Sequence, residues 1–143
     1  MKKHFIFGVI LGSLLLLNSC AQEGQKDISG IKQVTKRIGM VIGIKADKID
    51  EYKKLHTDSN AGVRDLLNKY NMHNFSIFLK QFDDGKWFLF GYYEYTGSDY
   101  EADMSKLAEE NRNIEWLKMT DPMQIPFEGE SSWSQMEQVY YNK

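Results

Sequence analysis

Tyr52 and His56 are the two side chains in this sequence whose types and spacing best suit proton transfer. They are four residues apart, so they share one face of a helix that continues that far. A histidine exchanges a proton near neutral pH, and a tyrosine hydroxyl donates or accepts a hydrogen bond. The pair could therefore act on a hydroxyl-rich ligand. The same spacing also suits an ordinary, partly exposed histidine at a helix end.

Other candidate side chains are scattered along the chain. His73 and Asn74 open a predicted strand, where such residues commonly form local turns or caps. Trp116 offers an aromatic face on which a sugar ring can stack, although tryptophan more often belongs to a core. Asp121 ends the segment after Trp116, where it can simply hold a turn. No spacing of the carboxylates singles out an acid–base pair.

Metal and cofactor chemistry have little support in the sequence. The chain has 3 histidines and 1 cysteine, and His4 belongs to an N-terminal segment that we expect to be removed. His56 and His73 then lack a third nitrogen or thiol ligand nearby. The chain also contains no GxGxxG, Walker or GxSxG motif. We therefore expect neither a metal site nor an organic cofactor.

The hydrophobic pattern predicts the elements that must position these residues. Apolar residues with a period of two predict four strands, and helical spacing predicts the segments between them. The strands are expected near 35–45, 75–79, 87–95 and 134–141, and the helices over 47–70, 98–111 and, as a short turn, 114–119. Asp47 is the expected cap of the first helix, which residues 57–60 should interrupt. The order βαββαβ indicates an α+β, ferredoxin-like fold.

The third predicted strand is apolar or aromatic on both faces. Trp87, Leu89, Tyr93 and Tyr95 alternate with a second set of aromatic residues, Phe88, Phe90 and Tyr92. A sheet with helices on one side and water on the other should be polar on its second face. The second face therefore needs a cover, which a homodimer would supply. A ligand pocket on the open face is the alternative.

Length and composition exclude several classes of protein. The chain has 143 residues, with 18 basic against 20 acidic residues and 13% aromatic residues. This is the length of one domain, and the charge balance gives no footprint for nucleic acid. A single cysteine also excludes an internal disulfide framework.

The N-terminus has the pattern of a signal peptide. Lys2 and Lys3 precede an apolar run of 13 residues, Phe5–Leu17, which is shorter than the roughly 20 residues of a spanning helix. Ser19-Cys20 follows and resembles the lipobox of bacterial lipoproteins, which implies cleavage before Cys20 and lipid attachment to its thiol. We thus predict a signal peptide over 1–19, a flexible tether over 20–33 and a folded domain over 34–143, exported and lipid-anchored to the cell envelope at its periplasmic or outer-membrane face. A plain secretory signal is the alternative.

Four segments in register resemble the L-rhamnose mutarotase family. They cover nearly the whole predicted domain and are 51–56 (EYKKLH), 73–79 (HNFSIFL), 116–121 (WLKMTD) and 136–141 (MEQVYY). The resemblance implies a dimeric α/β-barrel, the same fold class that the pattern predicts. It also implies an isomerase that interconverts the α and β anomers of L-rhamnose or a related deoxy sugar, without metal or cofactor.

The resemblance assigns roles to particular residues. It places the catalytic acid on His56 and sugar contacts on Tyr52 and Trp116. Phe75 stands where the family typically has a tyrosine, and we expect it to cover the apolar edge of the sugar. Glu115 stands where many members have the first of two tryptophans, and we predict it as an additional sugar contact and base. A sugar-binding lipoprotein without catalysis and a cofactor-free monooxygenase of the same fold are the alternative functions.

Overall fold

A computed structural model describes residues 32–142 of the chain. The predicted signal peptide, Cys20 and nearly all of the predicted tether lie outside the described residues. The domain is built on a five-stranded antiparallel sheet. Its strands are β1 (Lys36–Ile44), β2 (Met72–Gln81), β3 (Trp87–Tyr95), β4 (Gln124–Ile125) and β5 (Ser134–Met136).

The strand order is β2-β3-β1-β4, and β5 also pairs with β1. The two long central strands, β1 and β3, are paired over their full lengths, from Lys36 opposite Tyr95 to Ile44 opposite Trp87. Helices connect β1 to β2 and β3 to β4. In the sheet, β3 lies between the first two strands and β1 lies between the second two, so each helical crossover skips one strand. This is the split βαβ arrangement, and the α+β, ferredoxin-like prediction is confirmed.

Four helices connect these strands, with a short 3-10 turn at either end of the series. The turns are Ala46–Lys48 and Asp121–Met123, and the helices are α1 (Ile49–Leu55), α2 (Arg64–Lys69), α3 (Tyr100–Glu109) and α4 (Asn111–Thr120). The predicted interruption of the first helix is confirmed, since residues 56–63 separate α1 from α2. The expected cap at Asp47 is wrong, because Asp47 lies within the 3-10 turn and no side chain caps α1.

Several elements differ from the prediction. Strand β2 is longer than the predicted 75–79, and β4 has no counterpart among the four predicted strands. The turn expected over 114–119 is a ten-residue helix, α4, separated from α3 by the extended backbone of Glu110. The last strand ends at Met136 instead of Tyr141. Few residues of β1 remain beyond the Gly39–Met136 pair, and Tyr141 lies against the guanidinium of Arg37, 3.6 Å from its ring centroid.

The helices cover one face of the sheet, and the core lies between them. Leu89, Tyr93 and Tyr95 of β3 are buried on this inner face, as the alternation predicted, whereas Phe88 and Phe90 lie on the opposite, outer face. The inner-face residues form two adjoining clusters, one around Tyr95 and one around Ile42. A cavity opens between these clusters and the helices.

Candidate active site

The cavity has a volume of about 540 Å³ and lies between the inner face of the sheet and the helices. The sheet contributes an apolar wall of Met40, Ile44, Phe75, Ile77, Leu79 and Leu89. The helices and loops contribute polar groups, among them Tyr52, His56, Asn60, Asn113 and Asp121, and strand β4 contributes Gln124. A predominantly apolar pocket with a few convergent polar groups is the usual form of a small-molecule site.

His56 is held at the end of α1 by the turn of helix that precedes it. The helix stops at Leu55, and the backbone N–H of His56 closes its last turn on the carbonyl oxygens of Tyr52 and Lys53. The Tyr52 carbonyl oxygen accepts a hydrogen bond from Nδ1 of His56 at 2.8 Å. The rings of the two residues also stack, with centroids 4.2 Å apart. The spacing of four residues thus sets both ring position and ring plane.

The hydrogen bond also decides which nitrogen of His56 exchanges a proton. A carbonyl oxygen only accepts, so Nδ1 must carry a hydrogen. Nε2 is then the nitrogen that gains and loses the proton. Within residues 32–142, no hydrogen bond occupies Nε2. The imidazole is therefore oriented as an acid–base group with one working nitrogen.

Arg64 fixes the loop that follows His56. Its guanidinium donates to the carbonyl oxygens of His56 at 3.0 Å and Thr57 at 3.1 Å, and also to that of Asn60. Asp58 lies 3.7 Å from the same guanidinium. Because one planar group satisfies three carbonyls, residues 56–60 are tied to the first turn of α2.

Trp116 of α4 completes the aromatic side of the site. Its indole meets the His56 imidazole edge to face, with centroids 5.1 Å apart. Gly62 has a φ of +52°, and a Cβ built there would lie 3.2 Å from the indole ring. A side chain at Gly62 would therefore be strained and would also press on Trp116.

Burial and neighbouring groups shift the pKa values in the cavity. Burial lowers the pKa of His56, and the Arg64 charge lowers it further, against the opposing effect of the Tyr52 carbonyl. Burial raises the pKa of Tyr52 to about 12, with a smaller opposing effect from the Gln124 side chain. Burial also raises the pKa of Asp121. Tyr52 therefore keeps its proton at neutral pH and can donate a hydrogen bond.

Phe75 reaches the cavity through an irregularity in β2. The register with β3 shifts between His73 and Ser76, and Asn74 has a φ of +53°. Such a bulge changes the direction of the neighbouring side chains. Phe75 lines the cavity and stacks on Tyr93, with centroids 5.2 Å apart. His73 does not line the cavity.

Glu115 is the one predicted site residue that the structure places outside the cavity. Its carboxylate pairs with Lys118 at 2.7 Å, and both side chains are more than half exposed. The helical period explains the placement, because Asn113, Trp116, Leu117 and Thr120 form the stripe of α4 that lines the cavity. Glu115 lies off that stripe, so it does not belong to the candidate site.

Two buried amides line the cavity in addition to the predicted residues. Asn113 is 7% exposed and Gln124 is 8% exposed, and neither was singled out from the sequence. Asn113 lies three residues before Trp116, so the full-length pattern of α4 would have placed it on the same face. Gln124 begins β4, a strand of two residues that is too short to show a periodic pattern.

The described part of the chain offers no cluster for a metal ion. No group of three or more His, Cys, Asp or Glu side chains within residues 32–142 is arranged to hold one. The chemistry available from these residues is proton transfer by His56 and Asp121 and hydrogen bonding by Tyr52 and the two amides. Within the same residues, no helix is long and apolar enough to cross a membrane.

Comparison with known proteins identifies the family. The family model described as L-rhamnose mutarotase matches residues 37–142. The chain belongs to the L-rhamnose mutarotase family. An L-rhamnose mutarotase of Oceanobacillus iheyensis is 38% identical over 89 residues, which are 62% of this chain and 79% of that protein. Another from Mannheimia succiniciproducens is 30% identical over 105 residues, which are 73% and 96% of the two chains.

The fold comparison agrees with membership of the L-rhamnose mutarotase family. A crystal structure of L-rhamnose mutarotase from Formosa agariphila matches 76% of this chain and all of that chain, with a TM-score of 0.56. The two sequences are 18% identical, so this likeness shows the fold alone. The family predicted from the four sequence segments is confirmed.

The shift of the His56 pKa provides a direct test of the site. In the wild type, we expect NMR titration to give His56 a pKa below the ordinary value of 6.5. Arg64→Met should raise the pKa, because the neighbouring positive charge that disfavours the imidazolium is removed. Arg64→Lys keeps the charge and should raise it less. A wild-type pKa at or above the ordinary value would contradict the described environment.

Proposed function

We propose that this protein is an isomerase that interconverts the α and β anomers of L-rhamnose. The observation that carries the proposal is the His56 imidazole, oriented by the Tyr52 carbonyl and flanked by the Trp116 indole in the cavity. Membership of the L-rhamnose mutarotase family supports the same reaction. The reaction needs only proton transfers to and from sugar oxygens.

The exchange of anomers passes through the open-chain aldehyde. His56 donates a proton from Nε2 to the ring oxygen while the anomeric hydroxyl loses its proton, and the bond between the anomeric carbon and the ring oxygen breaks. The carbonyl group then rotates, and the ring closes on its other face with the proton transfers reversed. A positioned acid or base typically contributes a factor of about 10²–10⁴.

The walls of the cavity suit a sugar with an apolar edge. Trp116 and Phe75 present aromatic surface, against which the C–H groups of a sugar ring and a methyl group can pack. Tyr52 lines the same space and its hydroxyl keeps its proton, so it can donate a hydrogen bond to a sugar oxygen. Phe75 has no hydroxyl, so it covers the sugar without hydrogen bonding.

Saturation-transfer NMR tests the activity on L-rhamnose directly. We expect the wild type to accelerate α/β exchange and His56→Ala to lower the enhancement by about 10²–10⁴-fold, because the proton donor is lost. His73→Gln is the matched control, since His73 does not line the cavity. Calorimetric binding of L-rhamnose without faster exchange would instead select a non-catalytic sugar-binding protein.

We also propose that two copies pair through the outer face of the sheet. Phe78 is 63% exposed and Phe82 is 47% exposed, beside Phe88 and Phe90. Phe127 stacks on Phe88 and extends this patch, with ring centroids 5.8 Å apart. A contiguous aromatic patch of this kind is typical of a protein interface. A second copy presents the same patch, so the two would cover each other.

The dimer can be tested by analytical ultracentrifugation at micromolar concentration. We expect the wild type to sediment as a dimer and Phe78→Glu to shift it towards monomer, because an unpaired charge would be buried in the interface. Ile114→Glu is the matched control, since Ile114 is also an exposed hydrophobic residue but lies on α4. A monomeric wild type would contradict the proposed pairing.

The proposed cellular location follows from the N-terminal sequence. Cys20 would carry the lipid that anchors the exported protein to the cell envelope, and residues 21–33 would separate the anchor from the domain. Two or more acyl chains are needed for stable attachment to a membrane. The enzyme would then act on sugars outside the inner membrane.

Metabolic labelling with palmitate tests the anchor. The wild type should incorporate the label and fractionate with membranes, whereas Cys20→Ala should lose both properties because the acceptor thiol is gone. Ser19→Ala keeps a small residue before the cysteine and should still be labelled. A wild type that is unlabelled and found in the cytoplasmic fraction would refute the location.

A further inference from the structure

The proposed reaction leaves one proton unassigned. When His56 protonates the ring oxygen, a base must take the proton of the anomeric hydroxyl. Building on the proposed function, we propose that Asp121 is this base and that His56 and Asp121 work as an acid–base pair in one cavity. The sequence suggested only that Asp121 holds a turn.

Asp121 is placed where a sugar in the cavity would meet it. It begins the 3-10 turn after α4, directly after Thr120, and it lines the cavity with His56 and Trp116. Tyr52 belongs to the same lining. Its ring stacks on the imidazole, and the Asp121 charge is one of the causes that raise the pKa of Tyr52. Asp121 contributes the only carboxylate among the described residues of the lining.

Asp121 has no structural partner to explain its position. Within residues 32–142, neither a salt bridge nor a side-chain hydrogen bond engages its carboxylate, although Asp65, Asp84 and Asp103 are all paired. It also follows the last residue of α4, where the exposed carbonyl groups disfavour a negative charge. No described contact of the carboxylate therefore accounts for an acidic residue at this point.

The environments of the two groups match their assigned tasks. Asp121 is an exposed residue of the cavity lining, and its partial desolvation raises the pKa of its carboxyl group, which makes the carboxylate a stronger base. Burial lowers the pKa of His56, which makes its imidazolium a stronger acid. The cations that face them are Lys53 of α1 and Arg64 of α2, and Tyr52 stays protonated.

The proton balance of each ring opening is complete with these two groups. The reactive form carries imidazolium and carboxylate. The carboxylate takes the proton of the anomeric hydroxyl, whose oxygen becomes the aldehyde oxygen as the bond from the anomeric carbon to the ring oxygen breaks. The ring oxygen takes the Nε2 proton with the bonding electron pair. Ring closure returns both protons, so the enzyme ends as it began.

The test compares Asp121→Asn with the wild type in the saturation-transfer assay on L-rhamnose. We expect the exchange enhancement to fall by about 10²-fold or more in Asp121→Asn. Calorimetry should show that this variant still binds L-rhamnose. Asp121→Glu should recover part of the rate because it restores a carboxylate. Asp83→Asn, in the exposed turn between β2 and β3, is the matched control and should exchange at the wild-type rate.

The pH profile provides a second readout that a merely structural role would not change. Wild-type exchange should fall at acid pH as Asp121 gains a proton, and this limb should be absent in Asp121→Asn. If Asp121→Asn exchanges the anomers at the wild-type rate while His56→Ala remains slow, the proposed acid–base pair is overturned but the proposed function is not. Equal loss of binding and exchange in Asp121→Asn would also overturn it. A wild type without exchange would overturn both proposals.

Discussion

The hydrogen bond from Nδ1 of His56 to the Tyr52 carbonyl oxygen is the interaction on which the candidate site depends. It forms because the Tyr52 carbonyl, in the last turn of α1, accepts a second hydrogen bond besides that from the His56 backbone N–H. The same contact places the two rings against each other and leaves Nε2 as the exchanging nitrogen. Local chain geometry and acid–base chemistry are thus set by one turn of helix.

The surrounding structure holds this arrangement from two directions. Arg64 ties the loop after His56 to α2 through three carbonyl groups, and Trp116 closes the other side against the positive-φ backbone of Gly62. The sheet supplies a rigid apolar wall, because β1 and β3 are paired over their full lengths at its centre. Its inner face thereby carries the cavity, while the aromatic outer face is left for a second copy in the proposed dimer.

The sequence predicted the fold well because strand alternation and the helix break are local signals. Leu89, Tyr93 and Tyr95 are buried on one face as their period of two required. The ends of an element are predicted less well when they depend on which other segments it packs against. The last strand stops at Met136, and Tyr141 lies against the Arg37 guanidinium, although the apolar alternation continues to Tyr141. The length of α4 was also underestimated.

The same limit applies to the candidate site. Tyr52, His56, Phe75 and Trp116 were identified from spacing and family resemblance, and all four line the cavity. The phase of α4 directs Glu115 away from the cavity and Asn113 into it, so both positions follow from the full length of that helix. Gln124 is different, because it is buried in a strand of two residues whose packing leaves no periodic mark in the sequence.

Nitrogen-15 NMR of the histidines, with and without L-rhamnose, tests the central claim most directly. The free protein should show His56 with hydrogen on Nδ1 in its neutral form, and the sugar should shift the Nε2 resonance of His56 while leaving His73 unchanged. A neutral His56 with hydrogen on Nε2, or a His56 signal that does not respond to the sugar, would contradict the account.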